Sequence, residues 1–420
     1  MVGLGSTILI ARLLGPAGNG QFVLAMLLPT MLATFLNLGI APANVYFVGR
    51  GDVTVRTAFH ATIVLWIILA SCGCLAAIGV IELGSTTWFR GLPISLLWIA
   101  AAGFPLTLLS GLVVSLLQAL EAFRQYNKVM LAAPLVTFVI SVITVWVLRL
   151  GVTGALIAAV VGSSAGLLSA FIALKPHLLA AQQAIRTYAL RCLSYGWKAH
   201  LSNILTFFNY RADVLLLNYF LTPAAAGIYM IAVKIAEQLW LLSGAVSIVL
   251  LPRLSVLHRE EEKRRFLTPF IARWLLIVSI CGALILVLIG GPLIRALFGS
   301  DYALAAPALT WLLPGIVVSG SARVLANDIA ARGRPDINLV VAILVVITNI
   351  VGNVLLIPKH GIVGASMATT LSYGLDSVIK LVIYSRMSGN RWFASLLMVP
   401  EDWAIARAAL RSLIGVGRTV

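Results

Sequence analysis

The chain has 420 residues, of which 61% are hydrophobic and only 10% charged, at a mean hydropathy of +1.03. Ordinary soluble domains carry roughly a quarter charged residues, so this composition excludes a water-soluble globular protein. A net charge of +16 would suggest nucleic acid in a soluble chain, but here the cations are dispersed through short loops without interleaved aromatics, which excludes nucleic acid as a partner.

Apolar runs bounded by Gly, Pro and charge clusters predict spanning helices near 1–14, 18–48, 57–81, 92–118, 129–148 and 153–174. The first is short: about 14 residues precede Gly15-Pro16, against roughly 17 needed to cross, so a truncated first helix is expected. Pro29, Pro105 and Pro314 are expected to kink their helices mid-span, with Gly39 and Pro42 bending the long second helix again. Residues 175–196 read as an amphipathic cytoplasmic linker with a stripe of Leu178, Ala181, Ile185, Ala189 and Cys192. A second set of spans follows near 197–220, 223–251, 267–290, 303–326, 337–357 and 361–385. The tail, 386–420, places Trp403, Leu410, Leu413 and Ile414 among Arg407 and Arg411, a composition suited to anionic headgroups or to solvent. Cys72, Cys74, Cys192 and Cys281 provide no disulfide framework and no metal-site spacing.

Topology follows Lys and Arg in short loops. Most of the thirty cations fall after even-numbered helices or in the tail, and only Arg12, Arg90, Arg149, Arg295 and Lys359 face the other side. Both termini are therefore expected in the cytoplasm and the number of crossings is even.

The two sets of six look like copies. Leu14, Pro16, Ala17, Gly20, Phe22 and Ala25 align at a constant spacing of 207 with Leu221, Pro223, Ala224, Gly227, Tyr229 and Ala232. Gly151, Gly154, Ala155 and Ala158 align at 210 with Gly361, Gly364, Ala365 and Ala368, and Asn127 with Asn338 at 211. Six crossings is an even number, so the copies are parallel repeats about an axis along the membrane normal. The expected architecture is all-α: a polytopic membrane protein of about 12 transmembrane helices in two six-helix bundles, 1–174 and 197–385, related by pseudo-twofold symmetry.

Charges inside the bilayer cost several kcal/mol and must face a partner or a wet cavity. They cluster in the second half as Arg211, Asp213, Lys234, Glu237, Arg273, Asp376 and Lys380. Arg211 lies ten residues before the outer turn at 221–223 and Lys234 eleven after it, so each reaches about 15 Å down, near the midplane. Arg211, Lys234 and Arg273 are candidate contacts to an anionic substrate, because guanidinium forks and ammonium groups bind phosphate. Asp213, Glu237, Asp376 and Lys380 are candidates for ion coupling or for charge pairing. Two arrangements stay open: interhelical pairing of Asp213 with Lys234 and of Arg211 with Glu237, or a hydrated cavity lined by these groups. Asp376 and Lys380 are four apart, the spacing of an intrahelical pair. No phosphate-binding glycine loop, metal cluster or base-activated nucleophile occurs, so no cofactor and no catalysis are expected.

Ala11-Arg12-Leu13-Leu14-Gly15-Pro16-Ala17-Gly18-Asn19-Gly20-Gln21-Phe22 resembles the opening signature of the Wzx polysaccharide-export flippases, within the multidrug/oligosaccharidyl-lipid/polysaccharide exporter superfamily. Arg211 and Asp213 followed by Gly227-Ile228-Tyr229, Lys234 and Leu251-Pro252-Arg253 look like that family's seventh and eighth helices. Gly333-Arg334-Pro335 and Gly361-Ile362-Val363-Gly364-Ala365 look like its tenth-to-eleventh loop and twelfth helix start. The resemblance implies export of a polyprenyl-diphosphate-linked oligosaccharide across the bacterial inner membrane by alternating access, alongside a polysaccharide polymerase, glycosyltransferases and membrane lipids. A drug/cation antiporter of the same superfamily and a peptidoglycan-precursor flippase are the competing expectations.

Overall fold

The computed structural model describes residues 2–179, 184–257, 260–404 and 407, and among these there is no strand. A chain this apolar has no water in the hydrocarbon layer to satisfy its backbone, and the helix is the element that satisfies it within one segment. In chain order the helices are α1 (Val2–Leu36), α2 (Ile40–Gly49), α3 (Val55–Gly84), α4 (Ile94–Ala102), α5 (Phe104–Ala119), α6 (Phe123–Ser141), α7 (Gly151–Leu174), α8 (Ile185–Phe220), α9 (Pro223–Ala236), α10 (Trp240–Val256), α11 (Glu261–Phe298), α12 (Ala305–Ala331) and α13 (Pro335–Ser388).

Nine stretches among the described residues are long and apolar enough to cross a bilayer. Two of them are each two crossings in one run: α1 breaks at Gly15 (φ 64°, ψ −179°) and α13 at Gly361 (φ 58°, ψ −134°). α8 is long enough but too polar to count among the nine, and adding it brings the crossings to the expected twelve. The long second helix does not simply bend. It ends at Leu36, turns through Leu38 (φ 47°) and Gly39 (φ 72°), and restarts as α2. Pro29 and Pro314 lie inside α1 and α12, whereas Pro105 occupies the first turn of α5, where its missing N–H costs nothing.

The repeat is visible as shared local geometry. Gly151 and Gly361 both turn the chain in the left-handed region, at φ 61° and 58°, and each opens a crossing helix. Three residues on, a Cβ at Gly154 would overlap the carbonyl of Thr144, and one at Gly364 the carbonyl of Leu356. The following alanines, Ala155 and Ala365, then Ala158 and Ala368, are fully buried.

Chain contacts divide the molecule into two units. The first is 1–231 with 291–308 and 353–365, and the second is 232–290 with 309–352 and 366–420.

Within the first unit the two helix-turn-helix corners meet backbone to backbone. A Cβ at Gly20 would overlap the carbonyl of Pro223, and one at Gly227 the carbonyl of Pro16, a reciprocity that a local twofold relation produces. Other contacts brace the two corners. Tyr302 donates its hydroxyl to the carbonyl of Ala11 at 3.0 Å, and Asn218, the counterpart of Ala11, donates its amide to the carbonyl of Trp88 at 2.9 Å. Arg12 donates to the carbonyl of Ala296, and its counterpart Tyr219 packs at a tilt against Trp88.

The first part of α8 is bolted to the same unit. Gly196 crosses Gly39 so closely that a Cβ on either would overlap the other's backbone. Asn44 is fully buried: it donates to Thr62 and Ser115 and accepts from Tyr188 at 2.9 Å, while Tyr46 stacks on Tyr195 at 4.5 Å. In the linker stripe Cys192 is buried and Ile185 and Ala189 sit on helix, while Ala181 lies outside the described residues. The tail positions Leu410, Arg411, Leu413 and Ile414 lie outside them too.

The second unit has its own apolar core of Leu250, Leu254, Ala272, Leu275 and Val324 from α10, α11 and α12.

Candidate functional site

The first unit contains a cavity of about 400 Å³ built from one face each of three helices. α1 and the residue that follows it supply Thr30, Ala33, Thr34 and Asn37, α5 supplies Thr107, Leu108 and Gly111, and α8 supplies Asn203, Thr206, Phe207, Tyr210 and Arg211. These spacings of three and four residues place each set on a single helical face. Polar residues on such a stripe in an otherwise apolar helix need water or a ligand opposite them, which is the condition of a transport pathway. The described lining contains one guanidinium, two amides and four threonine hydroxyls, and no carboxylate. Its volume falls within the roughly 300–1,000 Å³ of small-molecule pockets.

Arg211 was expected at a cavity and lines this one, with one nitrogen donating to the carbonyl of Tyr210 at 3.1 Å. Its neighbour on the chain, Asp213, faces elsewhere: it is buried and accepts from the Tyr229 hydroxyl at 2.5 Å, tying α8 to α9. Lys234 and Glu237 belong to the second unit and lie 4.0 Å apart on their own helix, where Glu237 opens a single 3-10 turn, Glu237–Leu239, between α9 and α10. Lys380 and Asp376 pair within α13 at 2.7 Å.

Arg273, expected as a substrate contact, has a different local setting. Its guanidinium is buried in the second unit, where it donates to Asp402 at 2.6 Å and to the carbonyl of Ala394. The edge of Trp403 against Trp274, at 5.5 Å, closes the tail onto α11 beside it. Ion pairing with a buried carboxylate consumes the charge a substrate phosphate would need, so Arg273 fastens the chain after α13 to the helix that carries it.

Three groups were missed by sequence reasoning. The threonine and asparagine stripe of the cavity had a readable signal, since Thr30, Thr34 and Asn37, then Asn203, Thr206 and Tyr210, recur at helical spacing. Asp328 had none. It is fully buried in α12 and accepts from Thr268 at 2.6 Å, from Arg264 at 3.1 Å and from Arg332 at 2.5 Å, with Arg332 also reaching Glu261 at 2.8 Å. The third is Arg323, which lies within α12 and stacks on the Trp240 ring at 4.2 Å. The same indole donates to Ser319 at 2.8 Å.

A polytopic helical chain with a cavity lined by threonines, asparagines and an arginine has the architecture of a membrane transporter, and solved transporters share its fold. The lipid II flippase MurJ in an inward closed conformation superposes with a TM-score of 0.75 at 14% identity, covering 98% of this chain and 94% of that one. A multidrug resistance MATE family transporter in an inward-facing conformation superposes with a TM-score of 0.74 at 13% identity, covering 92% and 94%. By sequence the chain belongs to the family described as polysaccharide biosynthesis protein, which it matches over residues 9–307. Among curated relatives, the probable flippase AglR of Haloferax volcanii is 30% identical over 191 residues, which are 44% of this chain and 39% of AglR. The matched stretch thus spans about two fifths of that relative's length.

Proposed function

We propose that this chain is a flippase that moves a polyprenyl-diphosphate-linked oligosaccharide from the cytoplasmic to the outer leaflet for surface polysaccharide assembly. The observation that carries the reading is the cavity lined by Arg211: a pocket of about 400 Å³ with four threonine hydroxyls, two amides and one guanidinium in an apolar helical frame. A guanidinium fork is matched to diphosphate, and the hydroxyls and amides to sugar, while the polyprenyl tail stays in lipid. Membership of the polysaccharide biosynthesis family and the name of the archaeal relative point the same way.

On this reading the chain works in a bacterial inner membrane with both termini in the cytoplasm, as its loop cations imply. The repeat-related halves, 1–174 and 197–385, act as the moving bodies of alternating access. Lys234 is a further candidate contact to the diphosphate, and Asp213, Glu237 and the Asp376/Lys380 pair are candidates for coupling. A polymerase and glycosyltransferases would supply and consume the substrate.

The absence of a carboxylate from the described lining weighs against a drug/cation antiporter, whose cationic cargo would need one. The likeness to MurJ keeps a peptidoglycan-precursor substrate as a second reading, since that cargo is also a lipid-linked diphosphate sugar.

The test is Arg211→Ala in cells whose surface polysaccharide depends on this chain. Surface polymer is expected to disappear at unchanged protein level, and wild-type polymer output would refute the role. Loss of viability instead of loss of surface polymer would favour the peptidoglycan-precursor reading.

A further inference from the structure

In the second unit the chain after α13 runs back along the opening turns of α11. Asn390 donates its amide to the carbonyl of Arg265 at 2.9 Å, Asp402 accepts from Arg273 at 2.6 Å, and Trp403 meets Trp274 edge-on at 5.5 Å. Between helix and returning segment lies a cavity of about 230 Å³, to which α11 contributes Arg265, Phe266 and Arg273 and the segment contributes Asn390, Val399 and Glu401. That is below the roughly 300–1,000 Å³ of pockets that enclose a whole small molecule, so this one suits the polar end of a larger molecule.

The cavity wall carries one exposed charge of each sign. Arg265 holds its Nε 3.5 Å from Glu261, which binds Arg332 more closely at 2.8 Å, and the two terminal nitrogens of Arg265 have no hydrogen-bond partner among the described residues. Glu401 has no cationic partner among the described residues, so it and Arg265 line one cavity without bridging each other. Arg273 adds a buried donor: two of its nitrogens serve Ala394 and Asp402, and its Nε has no partner. A ligand matched to this wall brings an anion rich in acceptors for the arginines and a cation with N–H donors for Glu401. The surroundings say where that ligand lives. α11 changes from charged residues at 261–265 to apolar ones at Phe266, and Phe266, Trp392, Leu397 and Trp403 are all exposed, the aromatic composition of a headgroup-level belt. A phosphodiester with a primary ammonium two carbons away satisfies both ends. A glycerol headgroup leaves Glu401 facing a negative ligand, and a trimethylammonium has no N–H to give it.

We propose that the cavity between α11 and the segment after α13 binds the headgroup of one zwitterionic phospholipid, with its phosphate on Arg265 and its primary ammonium on Glu401. The leaflet is the cytoplasmic one, as the loop cations around 253–265 imply. The site belongs wholly to the second unit and does not rest on the flippase reading.

The test uses the full-length protein in detergent, incubated with equal amounts of phosphatidylethanolamine, phosphatidylglycerol and phosphatidylcholine of identical acyl chains, with native mass spectrometry to identify the lipid retained. Wild type should retain one phosphatidylethanolamine about tenfold over either competitor, the effect of one charge-assisted hydrogen bond. Glu401→Gln should abolish that preference, and Glu401→Lys should turn it toward phosphatidylglycerol. Arg265→Ala should weaken retention of all three lipids. Both positions are exposed, so each variant should keep the wild-type thermal midpoint, and Glu262→Gln, an exposed carboxylate outside the lining, should change nothing. Equal retention of the three lipids by wild type, retention led by phosphatidylglycerol, or an unchanged preference in Glu401→Lys overturns the site. Glycan transport enters none of these readouts, so their failure leaves the flippase reading where it stands.

Discussion

Two regions of this protein hold arginines out of bulk water and treat them in opposite ways. In the second unit, Arg264 and Arg332 converge on Asp328, and Arg273 on Asp402, with both carboxylates fully buried. In the cavity of the first unit, Arg211 sits among threonines, asparagines and aromatics, and the described lining holds no carboxylate. The lesson is that a charge in an apolar span does not by itself mark function. A guanidinium buried against an acid is a fastener between elements, whereas one in the wall of a polar cavity stands where a ligand could reach it.

The comparison can be broken most sharply at Asp328. Asp328→Ala leaves Arg264 and Arg332 buried without their shared acid, a loss of about 3–5 kcal/mol that should leave little folded protein in detergent. If the variant is as heat-stable as wild type by size-exclusion after heating, Asp328 is no fastener. Arg273→Met comes next. The single change strands Asp402, whereas Arg273→Met combined with Asp402→Leu removes both charges, so the double variant should regain most of the lost thermal midpoint. A double variant worse than the single would show that Arg273 does more than pair.

Asn44→Leu tests the first unit's own fastener. It deprives Tyr188 of its acceptor and Thr62 and Ser115 of their donor, and should cost about 1–3 kcal/mol, measured as a lower thermal midpoint at retained glycan transport per folded molecule. Asp376→Asn marks the low end, because the new amide oxygen can still accept from Lys380 one turn away on the same helix. Its midpoint should barely move, and a large drop in transport with an unchanged midpoint would shift Asp376 from pairing to coupling.

Much of the fold was legible because the bilayer simplifies the problem. Apolar runs had to be helices, and the left-handed glycines Gly151 and Gly361 marked the repeat at equal spacing. The breaks were less legible. Gly39 ends one helix and starts another because Gly196 of α8 presses on it, a contact between positions far apart in the chain. The cavity was half legible. Arg211 stood out as an intramembrane cation, but its threonine neighbours come from three helices, and one polar stripe looks much like a stripe that packs against another helix.

Composition and periodicity by themselves determined that this chain is helical and membrane-spanning, that it is internally duplicated, and which side chains are charged within the spans. These are properties of local free energy: each residue's transfer cost between water and lipid, and each backbone group's need for a partner within its own segment. Only the tertiary structure decided which charges became buried fasteners and which came to line a cavity. Arg211 and Arg273 look alike in sequence, and the fold sets one in the wall of a cavity and brings Asp402, 129 residues away, within 2.6 Å of the other.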